Sequence, residues 1–152
     1  MDDLEFDAEQ YLPRPRAEVF RFFSRAENLG VITPPWLGFQ ILSQSNSEIR
    51  QGTLIDYRIR LHGLPMRWRT LIEEWCPEER FVDTQLRGPY SKWHHTHTFA
   101  DAPGGTLMRD HVRYQLPGGL PGRWLGQAWV RRNIEQIFEF RRSKITELFP
   151  PL

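Results

Sequence analysis

Between residues 38 and 117 the chain runs through segment after segment of alternating apolar and polar residues. "GFQILSQSN", "GTLIDYRIRLHG", "MRWRTLIEEW", "RFVDTQLRG", "SKWHHTHTFAD" and "TLMRDHVRYQLP" follow one another with only short breaks between them. A period of two is the mark of a strand with one buried face. Strands joined by a few residues pair antiparallel, because a parallel partner requires a crossover of a dozen residues or more. Turn chemistry sits where it is needed, in "HGLP" and in "DAPGG", whose Gly, Pro and Asp suit tight turns. This run commits most of the chain to one antiparallel sheet.

A sheet that buries one face needs a cover, and the chain offers one large candidate. Residues 123–149 read as a single long helix, with Val130, Ile134, Ile137, Phe138, Ile145 and Leu148 along one stripe. "GGLPGRW" before it reads as a loop, and Pro150–Pro151 end it. At the other end, "LEFDAEQYL" (4–12) predicts a further strand. "RPRAEVFRFFSRAENL" predicts helix, with Pro15 in its first turn. A second short helical turn precedes the break at "GVITPPW". The expectation is one α+β domain over residues 1–152: two short N-terminal helices, a curved antiparallel sheet of about six or seven strands, and a long C-terminal helix.

Charge and cysteine content narrow the setting. A formal net charge of +1 gives no electrostatic ground for nucleic-acid binding. Cys76 is the only cysteine, which excludes an internal disulfide and any CxxC zinc signature and fits a reducing, cytoplasmic setting. "MDDLEFDAEQ" has no signal-peptide character, and no run approaches the ~18 apolar residues of a membrane span.

The strand phases sort side chains by face. Ile55, Tyr57, Ile59 and Leu61 share one face, as do Met66, Trp68, Thr70, Ile72 and Glu74. In the next strand Phe81, Asp83 and Gln85 are the favoured inward set, with Val82, Thr84 and Leu86 competing. In "SKWHHTHTF", Trp93, His95, His97 and Phe99 fall together, and the two large aromatics mark that face as inward. Met108, Asp110, Val112 and Tyr114 are inward on the last strand, which sets Asp110 opposite His95 or His97 according to register. Arg141 lies in the stripe of the long helix, where burial demands a carboxylate partner such as Glu74 or Asp83, or else a ligand anion. On the outer face, a turn at His62–Pro65 would set Arg60 opposite Arg67 and Arg58 opposite Arg69.

Strand, two short helices, curved strands and a long closing helix resemble the helix-grip fold of the START/Bet v 1-like (SRPBCC) superfamily. "ITPPW", "FVDTQLRGPYSKWHHTHTF" and "DHVRYQLPGG" resemble its bacterial ligand-binding branch, near proteins labelled polyketide cyclase/dehydrase or coenzyme Q-binding. The resemblance implies a cavity between sheet and long helix that takes a hydrophobic or aromatic small molecule. On that reading Tyr57, Trp68, Asp83, Gln85, Trp93, His95, His97, Asp110, Tyr114 and Arg141 form the ligand-binding set. His95, His97 and Asp110 are the catalytic candidates.

The histidines carry three readings. His95 and His97 with Asp110 or Glu74 would make a two-His, one-carboxylate metal set. A third well-placed ligand is not evident, however, because His62, His94 and His111 fall on outward phases. The expectation is therefore no metal and no cofactor. The second reading is a hydrogen-bonded polar cluster in an apolar pocket, with Asp110 fixing an imidazole tautomer. The third makes the histidines satisfied core groups. Beside simple binding stand two functional alternatives. One is a cyclase/dehydratase using a His–Asp acid–base pair. The other is a lipid or quinone chaperone docking on membranes through its Arg-rich outer face.

Overall fold

The computed structural model describes residues 3–118 and 120–152, with side chains of the C-terminal helix described from Gly126 onward. Seven strands form one antiparallel sheet: β1 (Leu4–Leu12), β2 (Gln40–Gln44), β3 (Leu54–Leu61), β4 (Leu64–Cys76), β5 (Arg80–Arg87), β6 (Lys92–Ala102) and β7 (Gly105–Gln115). Their order across the sheet is β1-β7-β6-β5-β4-β3-β2. Neighbours in sequence are thus neighbours in space from β2 to β7, as short turns require, and β1 closes the far edge on β7. Helices α1 (Arg16–Phe23) and α2 (Ala26–Val31) and a 3-10 turn (Pro35–Leu37) carry the chain from β1 to β2. Helix α3 (Leu120–Leu148) follows the last strand. This is the helix-grip arrangement, with sheet and α3 enclosing the core.

The core forms where inward strand positions meet α1 and α3. Val19 and Phe20 from α1 pack with Phe81, Phe99 and Met108 of the sheet and Ile145 of α3. A second cluster joins Phe6, Val112 and Tyr114 to Ile134, and a third joins Ala26 of α2 to Ile55 and Ile72. Two glycines meet geometric demands here. Gly63 follows His62 in a turn where both have positive φ (83° and 50°), the twist that suits a two-residue hairpin. A Cβ on Gly105 would lie 2.1 Å from the backbone oxygen of Leu12, so β1 and β7 approach there only because position 105 has no side chain.

Several sequence expectations are corrected. The hairpin turn is His62–Gly63, tighter than expected, so Arg58 faces Arg67, Arg60 faces Pro65, and Asp56 faces Arg69. Asp56 then accepts two hydrogen bonds from Arg69, at 2.8 and 3.1 Å, and Arg58 donates to Gln40. A bulge in β4 between Ile72 and Glu74 reverses the side-chain phase. Glu74 therefore points outward, where it takes Arg80 at 3.2 Å, while Trp75 turns in against Phe20 and Phe81. Helix α3 begins at Leu120 rather than residue 123, because Pro121 is tolerated in a first turn whose N–H groups are unpaired anyway. The expected loop "GGLPGRW" thus belongs to the helix from Leu120, and Gly119 lies outside the described residues. Leu148 is exposed, and Phe149 takes the buried position instead.

Candidate functional site

Between the concave sheet and α3 lies a cavity of about 200 Å³. Strands β3 to β6 supply Tyr57, Trp68, Asp83, Trp93, His95 and His97 to its wall, and α3 supplies Ile137, Phe138 and Arg141. The wall is mainly aromatic. Tyr57 stacks on Trp68 with centroids 5.7 Å apart, and Trp93 meets Trp68 edge-on at 5.6 Å. Phe22, Phe23, Ala26 and Leu29 close the cavity from the N-terminal helices.

The polar part of the site is built by register. Asp83 on β5 sits opposite His95 on β6, and His97 on β6 sits opposite Asp110 on β7. All four side chains point inward across three adjacent strands. His95 Nε2 lies 2.8 Å from Asp110 Oδ1, and His97 Nε2 lies 2.5 Å from Asp83 Oδ2. His95 Nδ1 comes within 3.7 Å of Asp83 Oδ2. His97 Nδ1 comes within 3.2 Å of Asp110 Oδ1, without hydrogen-bond alignment. The two imidazoles stack at 3.7 Å, with Phe81 against the outer side of His97 at 4.0 Å. Each ring is thus held between carboxylates, and His97 is sandwiched between the faces of Phe81 and His95.

Arg141 reaches the cluster from α3. Its Nη2 lies 3.4 Å from Asp110 Oδ1, so the ion-pair partner of this buried cation is Asp110, not Glu74 or Asp83. Its guanidinium also covers Phe23 and Phe138 at 5.3 and 5.6 Å, where the ring faces attract it. The charges bias one another. Burial opposes ionisation of Asp110, but Arg141 and the two imidazoles outweigh it and hold the carboxyl well below the ordinary range. Asp83 is lowered the same way, burial being overcome by His95 and His97. His95 is pushed down, by burial first and His97 next. His97 is raised, because its contacts with Asp110 and Asp83 overcome the same burial.

Seven of the ten residues expected to bind ligand line the cavity: Tyr57, Trp68, Asp83, Trp93, His95, His97 and Arg141. Three do not line it. Gln85 is engaged with the backbone of Tyr90, donating to its carbonyl and accepting from its N–H. Tyr114 is buried in the core beside Ile134. Asp110 stands behind the histidines, one layer from the cavity. The sequence reading missed the share of α1 and α2. A helical reading of residues 14–29 cannot separate a packed face from a cavity wall.

Among the described residues, Trp68 Nε1 and Arg141 Nε are buried donors without an acceptor. Both belong to residues of the cavity wall. Among the described residues, Asp83, His95 and His97 also present three metal-capable donor atoms within 4.8 Å of one another. No helix of the described residues is long and apolar enough to cross a membrane.

A family model described as polyketide cyclase/dehydrase and lipid transport matches residues 12–140. No curated protein matches the chain in sequence. Among solved structures, the Zhui aromatase/cyclase from Streptomyces sp. R1128 superposes with a TM-score of 0.74 at 11% identity, over 94% of this chain and 91% of its own. A START superfamily protein from Mycobacterium smegmatis gives 0.67 at 12% identity, covering 95% and 98%. Ara h 8.0201 gives 0.67 at 17% identity, covering 95% and 99%. At these identities the structural likeness establishes the fold alone.

Proposed function

The chain belongs to the polyketide cyclase/dehydrase and lipid transport family, and on that premise we propose that its cavity binds an aromatic small molecule bearing oxygen acceptors, of the quinone or polyketide kind. One observation carries the reading. An aromatic wall encloses two buried donors without acceptors, Trp68 Nε1 and Arg141 Nε, beside the Asp83–His95–His97 cluster. An unpaired buried donor costs about 1–3 kcal/mol, and a ligand carbonyl, hydroxyl or carboxylate removes that cost. A bare hydrocarbon tail would leave it in place. Apolar walls with a few convergent polar groups are the ordinary form of a small-molecule site.

Native mass spectrometry of gently purified protein tests this directly. The expected result is a bound organic molecule of a few hundred daltons, lost on solvent extraction and replaceable by an anilinonaphthalene fluorophore. Trp68→Phe keeps the ring packing and deletes the donor, so it weakens oxygen-bearing ligands more than the fluorophore. Absence of both a co-purified molecule and saturable fluorophore binding would overturn the reading.

A further inference from the structure

We propose that Asp83, His95 and His97 form a binding site for one divalent first-row transition ion, open to the cavity. The inference rests on the cavity being a binding site and adds a metal to it. The donor atoms are Asp83 Oδ2, His95 Nδ1 and His97 Nε2. Asp83 Oδ2 stands 3.7 Å from the first nitrogen and 2.5 Å from the second. An ion with bonds of about 2.0–2.1 Å separates its ligands by roughly 2.9–3.4 Å. The three atoms lie within 4.8 Å of one another, so the side chains draw in around the ion as it binds, and the proton shared by His97 and Asp83 leaves to solvent.

The outer layer carries the argument further. Asp110 faces the remaining nitrogen of both rings, 2.8 Å from His95 Nε2 and 3.2 Å from His97 Nδ1. The carboxylate bonded to His95 Nε2 fixes that ring's orientation and leaves its Nδ1 free to ligate, which is what metal-bound histidines require, while its contact with His97 Nδ1 is close without being a hydrogen bond. Arg141 holds that carboxylate in turn. Strand phase alone offers Asp110 and Glu74 as the third ligand. The sheet register supplies Asp83 in that role, moves Asp110 to the layer behind, and sends Glu74 to the surface.

The donor set and the charge select the ion and its co-ligand. Two imidazoles and one carboxylate with open positions suit zinc or ferrous iron. With both histidines neutral, Asp83, Asp110 and Arg141 sum to −1, so a divalent ion leaves the buried site at +1. A buried net charge is costly, so the position facing the cavity favours an anionic oxygen: hydroxide, or the carboxylate or enolate of an organic ligand.

The test titrates chelator-treated full-length protein with Co²⁺, read by its visible absorption, and with Zn²⁺, read by calorimetry. The expected result is one equivalent of either ion. Asp83→Asn, near-isosteric, and His97→Ala abolish the cobalt spectrum, and Asp110→Asn weakens binding by about 10–100-fold. His111→Ala leaves it unchanged, although His111 with Asp7 and Glu5 is the obvious surface competitor. Circular dichroism confirms that each variant folds, and Asp83→Asn carries the test if His97→Ala does not. No saturable binding, binding retained in Asp83→Asn, or binding lost in His111→Ala would overturn the proposal. Fluorophore binding on the same samples separates the two readings: cobalt failing while the fluorophore binds removes the metal and leaves the cavity.

Discussion

Asp110 is 4% exposed and serves three cations or near-cations at once, so its removal is the most informative single change. Asp110→Ala strands the guanidinium of Arg141, itself 7% exposed, in a low-dielectric site. Breaking a buried pair on one side costs about 3–5 kcal/mol, to be read as a drop in the urea midpoint. Adding Arg141→Met removes the stranded charge and recovers most of that loss. A single-variant loss below about 1 kcal/mol, the range of a solvated pair, would show that Arg141 finds water. This residue also marks what sequence could and could not say. Its inward phase was legible from Met108 and Val112 on either side. Its contact with both histidines was not, because that depends on register across β6 and β7 and on rotamers, neither of which has a local signal. Asp83 was harder still, since Phe81 and Val82 are both buried and alternation in β5 could not decide the phase.

The strands were legible at the level of the element because their period is strong, and the two places where the reading failed are places where that period is broken. The bulge at Glu73 adds one residue to β4, and everything after it changes face; no residue type announces it. The hairpin slipped because "HGLP" contains two turn formers, and the tighter His62–Gly63 turn won through its positive φ values. The β1–β7 junction yields a prediction of the same kind. Gly105→Ala would drive a Cβ against the Leu12 carbonyl at 2.1 Å, and neither backbone is free to withdraw from the ladder. The expected destabilisation is at least about 1–3 kcal/mol, measured by thermal unfolding, and an unchanged melting temperature would contradict the register at that end. The other end of β1 is pinned electrostatically. Asp3 accepts from Lys92 at 2.7 Å and from Gln115 at 2.8 Å. The Lys92 bond comes first among the causes that hold its carboxyl below the usual value, ahead of opposing desolvation. A depressed carboxyl contributes stability above its unfolded pKa and loses it as pH falls through the folded value. Hydrogen exchange at the first amides of β1 should therefore lose protection in acid, below about pH 4. Asp3→Asn should remove that pH dependence, and identical profiles in both proteins would rule the clamp out.

A sheet, one long helix and two short ones cannot fill the space they enclose, and the whole molecule carries that deficit as a cavity. At about 24 cal/mol per Å³ of void, a space of about 200 Å³ corresponds to roughly 5 kcal/mol of stability forgone. A chain under selection for stability alone would shrink such a space by substituting larger side chains, and α3 offers the position to do it. Ile137 lies on the cavity wall together with Trp68 and Arg141. Ile137→Phe adds a ring to the void without replacing any residue of the Asp83–His95–His97 cluster. If the space is an open binding cavity, the substitution raises stability by about 0.5–2 kcal/mol and lowers fluorophore affinity in the same protein. The opposite signs are what matter, because a packed core punishes the larger side chain with lost stability, and a surface cleft leaves both readings near their starting values. Urea unfolding and a fluorophore titration on wild type and Ile137→Phe therefore decide among cavity, core and cleft. Loss of stability together with unchanged binding would place the fluorophore elsewhere and the void out of use.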